Sequence, residues 1–273
     1  MTRFHIAKYK IKCSIDKRIV MLSDIHYYNK KMENVLCAIV RQIKKLEPNY
    51  ICIPGDFIDE RIIQDKEYFL IFLNSLKEIA PVTLSIGNHE VKTKKDKLEY
   101  MDQELFDEIR NISNVHLLNN ASWESEHLRF TCVTFPFVSY EEKKKSYMKT
   151  LEALQKNYPD GLTKDKYNIV LSHSPFILLH NEVQKTKFYR DSDLILSGHT
   201  HGGLTPAWIA NLTHHVFITP EQHLFPKNSY GYLKKEKTIV SSGITKLSHF
   251  NPFHCFNFLF SSEIVVIDLK KEC

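Results

Sequence analysis

Glycine is scarce in this chain, with only 8 in 273 residues, and proline is little commoner at 10. That excludes collagen-like and linker-rich classes. Six cysteines (Cys13, Cys37, Cys52, Cys132, Cys255, Cys273) form no CxxC pair. Their scatter argues against a disulfide framework or a thiolate zinc site, and for reduced thiols in a cytoplasmic protein. No apolar run approaches the roughly 18 residues of a membrane span. The basic N-terminus, Met1 to Lys8, is not followed by the apolar stretch of a secretory signal. Concentrated charge of one sign is missing too. The net +5 is spread over the chain and lysine far outnumbers arginine, which fits an anionic substrate but not a nucleic-acid stripe.

Histidine, by contrast, is abundant at 14, and the hydrophobic share of 43% is that of a globular protein with a substantial core. No repeat, low-complexity linker or composition shift divides the chain, so a single domain over residues 1–273 is expected. Gly55, Gly87, Gly198, Gly202 and Gly203 cluster against Asp, Asn and His residues. In a chain that otherwise avoids glycine, these read as sharp turns presenting polar side chains.

Short apolar runs end at such turns. Arg18–Ser23 stops at Asp24-Ile25-His26, Tyr50–Pro54 at Gly55-Asp56, and Pro81–Ile86 at Gly87-Asn88-His89-Glu90. Asn168–Ser172 stops at His173, and Asp193–Ser197 at Gly198-His199-Thr200-His201. Each run is apolar on both faces, as a buried central strand should be. Helical periodicity fills 30–46, where Pro48 follows, and recurs at 66–79, 98–110 and 141–157. Residues 4–13 read as an edge strand, 115–118 and 128–134 as strands of a second sheet, and Glu263–Leu269 as a final strand. The alternation predicts a layered α/β protein whose functional loops lie at the carboxyl ends of its strands.

A parallel sheet gathers those loops onto one rim. They carry Asp24, His26, Asp56, Asn88, His173, His199 and His201. Carboxylate, amide and imidazole donors without thiolate suit two divalent ions such as Mn, Fe or Zn better than a magnesium cage. Any one of these histidines alone would be unremarked; the ordered set is what points to metal. Glu90 reads as a first-turn helix residue favoured by the dipole, Ser172 and Thr200 as backbone supports, and His5, His116, His127 and His180 as bland. His214, His215 and His223 read as surface residues.

Asp24-x-His26, Gly55-Asp56-x-x-Asp59, Gly87-Asn88-His89-Glu90, His173 and Gly198-His199-x-His201 together resemble the signature of the calcineurin-like metallophosphoesterases. Ser241-Ser242-Gly243 and the closing Glu263-Ile264 strand make the chain most similar to the bacterial YkuE-like branch, although that branch often carries an anchor or export signal that the sequence does not show. The resemblance implies a four-layered α/β/β/α sandwich of two mixed sheets. It also implies that Asp24, His26 and His201 hold one metal, that Asn88, His173 and His199 hold the second, and that Asp56 bridges them. A bridging hydroxide would attack the phosphorus, His89 would protonate the leaving oxygen, and Asp59 would orient His89.

Protein phosphatases of this superfamily carry Arg where this chain has Glu60. Two divalent cations, two carboxylates and a hydroxide leave one net positive charge, which a phosphodiester monoanion neutralises. The expectation is therefore a hydrolase for a phosphodiester or pyrophosphate bond, with a lipid-linked or nucleotide-sugar substrate. A nuclease of the same superfamily would need a basic stripe, and a non-catalytic interaction module would be expected to have lost donors; neither departure is visible. No protein partner is implied. Segments 204–235 and 245–260 are rich in aromatics, with five phenylalanines from Phe250 to Phe260. They read mainly as core, with rings left exposed at substrate-side loops that could take an apolar tail or rest on a membrane surface.

Overall fold

The computed structural model describes residues 4–59, 64–94, 97–100, 102–134, 146–176, 181–205, 209, 212–213, 215–217, 229–245 and 262–272. Glu60, His180, His214, His223, Cys255, Cys273, the phenylalanines of 249–260 and much of 204–235 lie outside them, as does 141–145 of the expected fourth helix.

Two six-stranded sheets stack face to face. The first runs in the order β1 (Phe4–Cys13), β14 (Ser262–Lys271), β2 (Lys17–Met21), β3 (Tyr50–Pro54), β4 (Val82–Ser85) and β7 (Val115–Leu117). The second runs β12 (Gly231–Leu233), β13 (Thr238–Val240), β11 (Leu194–Ser197), β10 (Tyr167–Ser172), β9 (Leu128–Val133) and β8 (Ser122–Glu124). The strands β2, β3, β4 and β7 are mutually parallel, and so are β9, β10, β11 and β13. Each set therefore sends its carboxyl ends to one edge of its sheet.

The double-sided apolar runs have a direct cause. Alternate residues of one strand enter different layers. Ile19 and Met21 of β2, with Ile169 and Leu171 of β10 and Leu194 and Leu196 of β11, fill the space between the sheets. Val20 of β2 and Ile51 and Ile53 of β3 face outward, under α1 (Glu33–Leu46), α2 (Lys66–Lys77) and α3 (Gln103–Arg110). Val170 and Ile195 face the other way, packing with Leu154 of α4 (Ser146–Asn157), Val183 of α5 (Asn181–Gln184) and Phe188 of α6 (Lys187–Asp191). Helix, sheet, sheet, helix is the resulting order, the calcineurin-like phosphoesterase architecture expected above.

Helix α1 shows how the sequence pattern becomes packing. Leu36, Ile39 and Ile43 are its buried stripe, with Val35 and Val40 on the flanks. It stops where Glu47 turns left-handed at φ 48°, just before Pro48.

Three expectations need correction. Residues 115–118 belong to the first sheet, because Val115 pairs with Val82 and is buried under the helices of that side. The segment 98–110 is not one helix. Residues Lys97–Tyr100 form β6, which pairs antiparallel with β5 (Val91–Lys94), and the helix begins only after Asp102 caps it by accepting the Leu105 amide proton. Glu90 consequently precedes a strand rather than opening a helix. Residues 4–13 do form an edge strand, parallel to β14, and β14 itself is central, antiparallel to β2.

Leu171 is fully buried between the sheets. Leu171→Ala should destabilise the protein by about 2–5 kcal/mol, as a cavity in a close-packed core does. Denaturant midpoints at unchanged slope would measure it; a loss under about 1 kcal/mol would mean that the layer is not tightly packed.

Candidate metal centre

The loops after β2, β3, β4, β10 and β11 converge where the carboxyl edges of the two sheets meet. Their backbone is unusual. Asp24, His26, Asp56, His199 and His201 all have positive φ, between 49° and 69°. For a residue with a Cβ, that region costs roughly 1–2 kcal/mol. Its repetition at five of the seven expected donors marks these turns as selected for where they aim their side chains.

Glycine does two different jobs here. Gly55 takes φ 81°, and a Cβ on it would lie 2.7 Å from the His173 side chain. Gly87 opens the bend at Asn88 and the turn at His89-Glu90 without being left-handed. It is needed because a Cβ would lie 2.2 Å from Asp56 Oδ1.

Side chains from these turns form two donor groups. Asp24, His26, Asp56 and His201 bring one ligand atom each to within 4.8 Å of one another, and so do Asp56, His173 and His199. Asp56 belongs to both. Its Oδ2 is 3.0 Å from His173 Nε2 and 3.7 Å from His26 Nε2, so a single carboxylate oxygen faces both groups. His26 Nε2 and His201 Nε2 are 3.2 Å apart, and His173 Nε2 and His199 Nδ1 are 3.1 Å apart.

Neighbouring backbone fixes the rings. His173 Nδ1 donates to the Pro54 carbonyl at 3.0 Å and His201 Nδ1 to the Thr245 carbonyl at 2.9 Å. A carbonyl can only accept, so Nδ1 carries a proton in each ring and Nε2 is the nitrogen aimed inward. The His199 amide donates to Asp24 Oδ1 at 3.0 Å, joining the loops of the two sheets.

The electrostatics are those of a buried charged cluster. Burial opposes ionisation of Asp56, but His173, then His89 and His26, hold its carboxyl well below the usual carboxylate range. Burial also opposes a charge on His173, yet the adjacent Asp56 outweighs it and raises that ring to about 10. His26 goes the other way. Burial draws it down to about 3, leaving a neutral imidazole suited to ligation.

Asn88 supplies an independent sign. Its Oδ1 is buried and has no hydrogen-bond partner among the described residues. A buried amide oxygen without a partner, next to the Gly87 backbone that crowds Asp56, fits the role of an oxygen ligand to a cation. The oxygen and nitrogen donor set fits divalent ions.

His89 stands at the margin, its side chain 24% exposed and its Nε2 3.8 Å from Asp56 Oδ2. Its ring meets His26 edge-on, with centroids 4.5 Å apart. Asp59 is buried, and its amide donates to Tyr27 O beside the bridge that joins Tyr27 and Ile58. Away from the rim, His116 stacks on Trp123 and His127 sits 3.5 Å from Glu126.

Sequence reasoning missed the residues that act through backbone. The Pro54 and Thr245 carbonyls have no residue-type signature. Gly243, whose Cβ would lie 2.7 Å from Asp24 Cβ, stands in the Ser241-Ser242-Gly243 block named above, but its residue type does not show that it crowds a donor. Glu90 precedes β5 and accepts backbone amides, and so has no first-turn helix role. The one available signal was its place four residues beyond an apolar run, inside a Gly-Asn-His-Glu block.

A sequence profile described as calcineurin-like phosphoesterase matches residues 17–203. An uncharacterized metallophosphoesterase of Campylobacter jejuni is 27% identical over 259 residues, covering 93% of this chain and 59% of that protein. The UDP-2,3-diacylglucosamine pyrophosphatase LpxG of Chlamydia trachomatis is 26% identical over 171 residues, covering 60% of this chain and 44% of that protein. The purple acid phosphatase PPD1 from yellow lupin seeds covers 72% of the chain at 16% identity and a TM-score of 0.47, and the match takes in 40% of that structure. The chain thus spans about half the length of the curated relatives it matches. No helix among the described residues is long and apolar enough to cross a membrane.

Gly87→Ala should force the Asp56 carboxylate aside and destabilise the protein by about 1–3 kcal/mol, the usual penalty for overpacking. Equilibrium unfolding measures it, and an unchanged midpoint would show that the two loops can separate freely.

Proposed function

Because this chain belongs to the calcineurin-like phosphoesterase family, we propose that it is a dinuclear-metal phosphoesterase acting on a phosphodiester or pyrophosphate linkage. The observation that carries this reading is Asp56, one carboxylate shared by two donor groups that otherwise use different residues. In the proposal Asp24, His26 and His201 hold one ion, and Asn88, His173 and His199 hold the other. Mn, Fe or Zn suits such a donor set. Two bound cations supply charge neutralisation for the phosphoryl group and a water of lowered pKa.

The chain's own residues do the rest. Asp56 screens the repulsion between the cations. His89, at the partly exposed margin of the cluster, donates a proton to the leaving oxygen, and Asp59 orients its ring. Buried Asp24 and Asp56 exclude a further anion from the interior side, so the substrate approaches past His89. Glu60, in place of the arginine that grips a phosphate dianion, supports a singly charged diester or pyrophosphate linkage over a phosphomonoester.

Two observations support a substrate with an apolar portion. Leu212 is 79% exposed and Phe217 is 40% exposed, in the aromatic-rich segment after the last donor loop, whereas Val216 and Tyr230 of the same segment pack together in the interior. LpxG, one of the similar proteins, is named for a pyrophosphatase acting on UDP-2,3-diacylglucosamine. A lipid-linked or nucleotide-sugar substrate is our reading of both, with contact at a membrane surface as its corollary; the scattered cysteines support a cytoplasmic location. We read the chain as one catalytic domain of the YkuE-like branch, with 204–235 and 245–260 on the substrate side.

Protein purified without added metal should contain or take up two divalent ions per chain and hydrolyse bis-(p-nitrophenyl) phosphate with Mn. Chelation should abolish turnover, and Asp56→Ala should abolish both turnover and paired metal uptake. Full activity in preparations shown by elemental analysis to be metal-free would overturn the reading.

His89→Ala should keep both metals yet lose about 10²–10⁴-fold in kcat on diesters with basic leaving groups, the range for a positioned general acid. With p-nitrophenolate, which needs little protonation, the loss should shrink. A uniform loss across leaving groups would assign His89 to phosphate positioning instead.

A further inference from the structure

Glu90 is fully buried and belongs to neither donor group. Its Oε2 accepts the amide protons of Asp56 at 2.8 Å and Gly87 at 2.6 Å, and its Oε1 accepts that of Ile58 at 3.0 Å. Three amides from two rim loops thus end on one carboxylate. The return contact is equally direct, for the His89 amide donates to Asp56 Oδ1 at 3.0 Å. Each loop places a carboxylate on the other's backbone, and the two form a reciprocal clasp.

The clasp reaches both of the loops that it joins. It holds Asp56 at its left-handed φ of 50°, a conformation that is unfavourable without compensation. It fixes Gly87, and so the direction of the neighbouring Asn88. Through Ile58 it extends to the Tyr27 bridge in the loop that carries His26. Water cannot substitute, because all three amides are buried with the carboxylate.

The chemistry requires a glutamate. Burial, then the nearby Asp56 carboxylate, pushes the Glu90 acid up to about 8, while the backbone amides favour its ionised form; a carboxylate accepts at both oxygens, and three donors here occupy both. A glutamine of the same shape has one accepting atom and one donating group. Whichever way it turns, an amide N–H faces an NH₂.

We propose that Glu90 is a positioning residue that pre-forms the shared Asp56 and the Asn88 side of the centre before any metal arrives. This rests on the dinuclear reading above. Buried groups that orient metal ligands typically change affinity or activity by 10–100-fold when removed. Loss of Glu90 should therefore fall mainly on the ion held by Asn88, His173 and His199.

The test is titration of metal-stripped wild type and Glu90→Gln with Mn, followed calorimetrically, with thermal unfolding as a check on the fold. Wild type should bind two ions. Glu90→Gln should bind one within about threefold of wild type and the other 10–100-fold more weakly, and kcat should fall more than KM rises. Equal two-ion binding by both proteins would overturn the role of Glu90 while leaving the dinuclear reading intact. Absence of paired binding in the wild type would overturn that reading, and this inference with it.

Hydrogen exchange on metal-stripped wild type decides the matter even if Glu90→Gln does not fold. The Asp56, Ile58 and Gly87 amides should be protected together without metal. Rapid exchange that slows only when Mn is added would show that the metal, not Glu90, orders these loops.

Discussion

A carboxylate at the seam of two sheets is the constraint on which the rim depends. Asp56 sits at the end of β3, 1% exposed, and meets imidazoles from both sheets. His26 belongs to its own sheet and His173 to the other. An anion in that position is unfavourable on its own, because burial penalises its charge. It is tolerated because cationic or hydrogen-bonding partners surround it, and in the proposed enzyme two metal ions complete that environment. The close approach of the Gly87 backbone, the left-handed turns and the Glu90 clasp all follow from holding one side chain in one place.

Holding it there uses conformational strain that the rest of the molecule offsets. Five left-handed donor residues represent on the order of 5–10 kcal/mol of unfavourable backbone geometry, comparable with the whole stability of an ordinary domain. The large apolar layers on both faces of both sheets make this affordable. Long runs of fully buried Ile, Val and Leu in the central strands anchor each loop at its root. Rigid strands then transmit position to the turns, so the donors stay aimed without help from long-range flexible contacts.

A second buried glutamate repeats the logic across the rim. Glu263, on β14, accepts the Tyr230 hydroxyl proton and, at 3.1 Å, the Ser242 amide proton. Burial raises its pKa, although the hydrogen bonds from Tyr230 and Ser242 favour its ionised form. The loop it secures presses Gly243 against Asp24 and offers the Thr245 carbonyl to His201. Glu90 and Glu263 thus brace opposite sides of the centre. Neither belongs to a donor group; both accept backbone amides, and Glu263 a tyrosine hydroxyl as well.

Much of this was legible in the chain itself. The strands ending at Asp24, Asp56, Asn88, His173 and His199 were readable because a strand buried on both faces must be apolar throughout, and a polar cluster after it must therefore be a turn. The donor types were readable for the same reason: in a chain with so little glycine, each Gly-Asp, Gly-Asn and Gly-His stands out. The edge strand Phe4–Cys13 and helix α1 followed from simple periodicity. Periodicity failed at 98–110, where a short hairpin and a capped helix share one apolar pattern, and at 115–118, where a three-residue strand cannot reveal which sheet it joins. Only the tertiary structure decided that Glu90 clasps two loops and that Pro54 and Thr245 turn two imidazoles. Residue type sets what a side chain can donate or accept. Which partner it meets depends on how two sheets stack, and that is set by packing between residues more than a hundred positions apart.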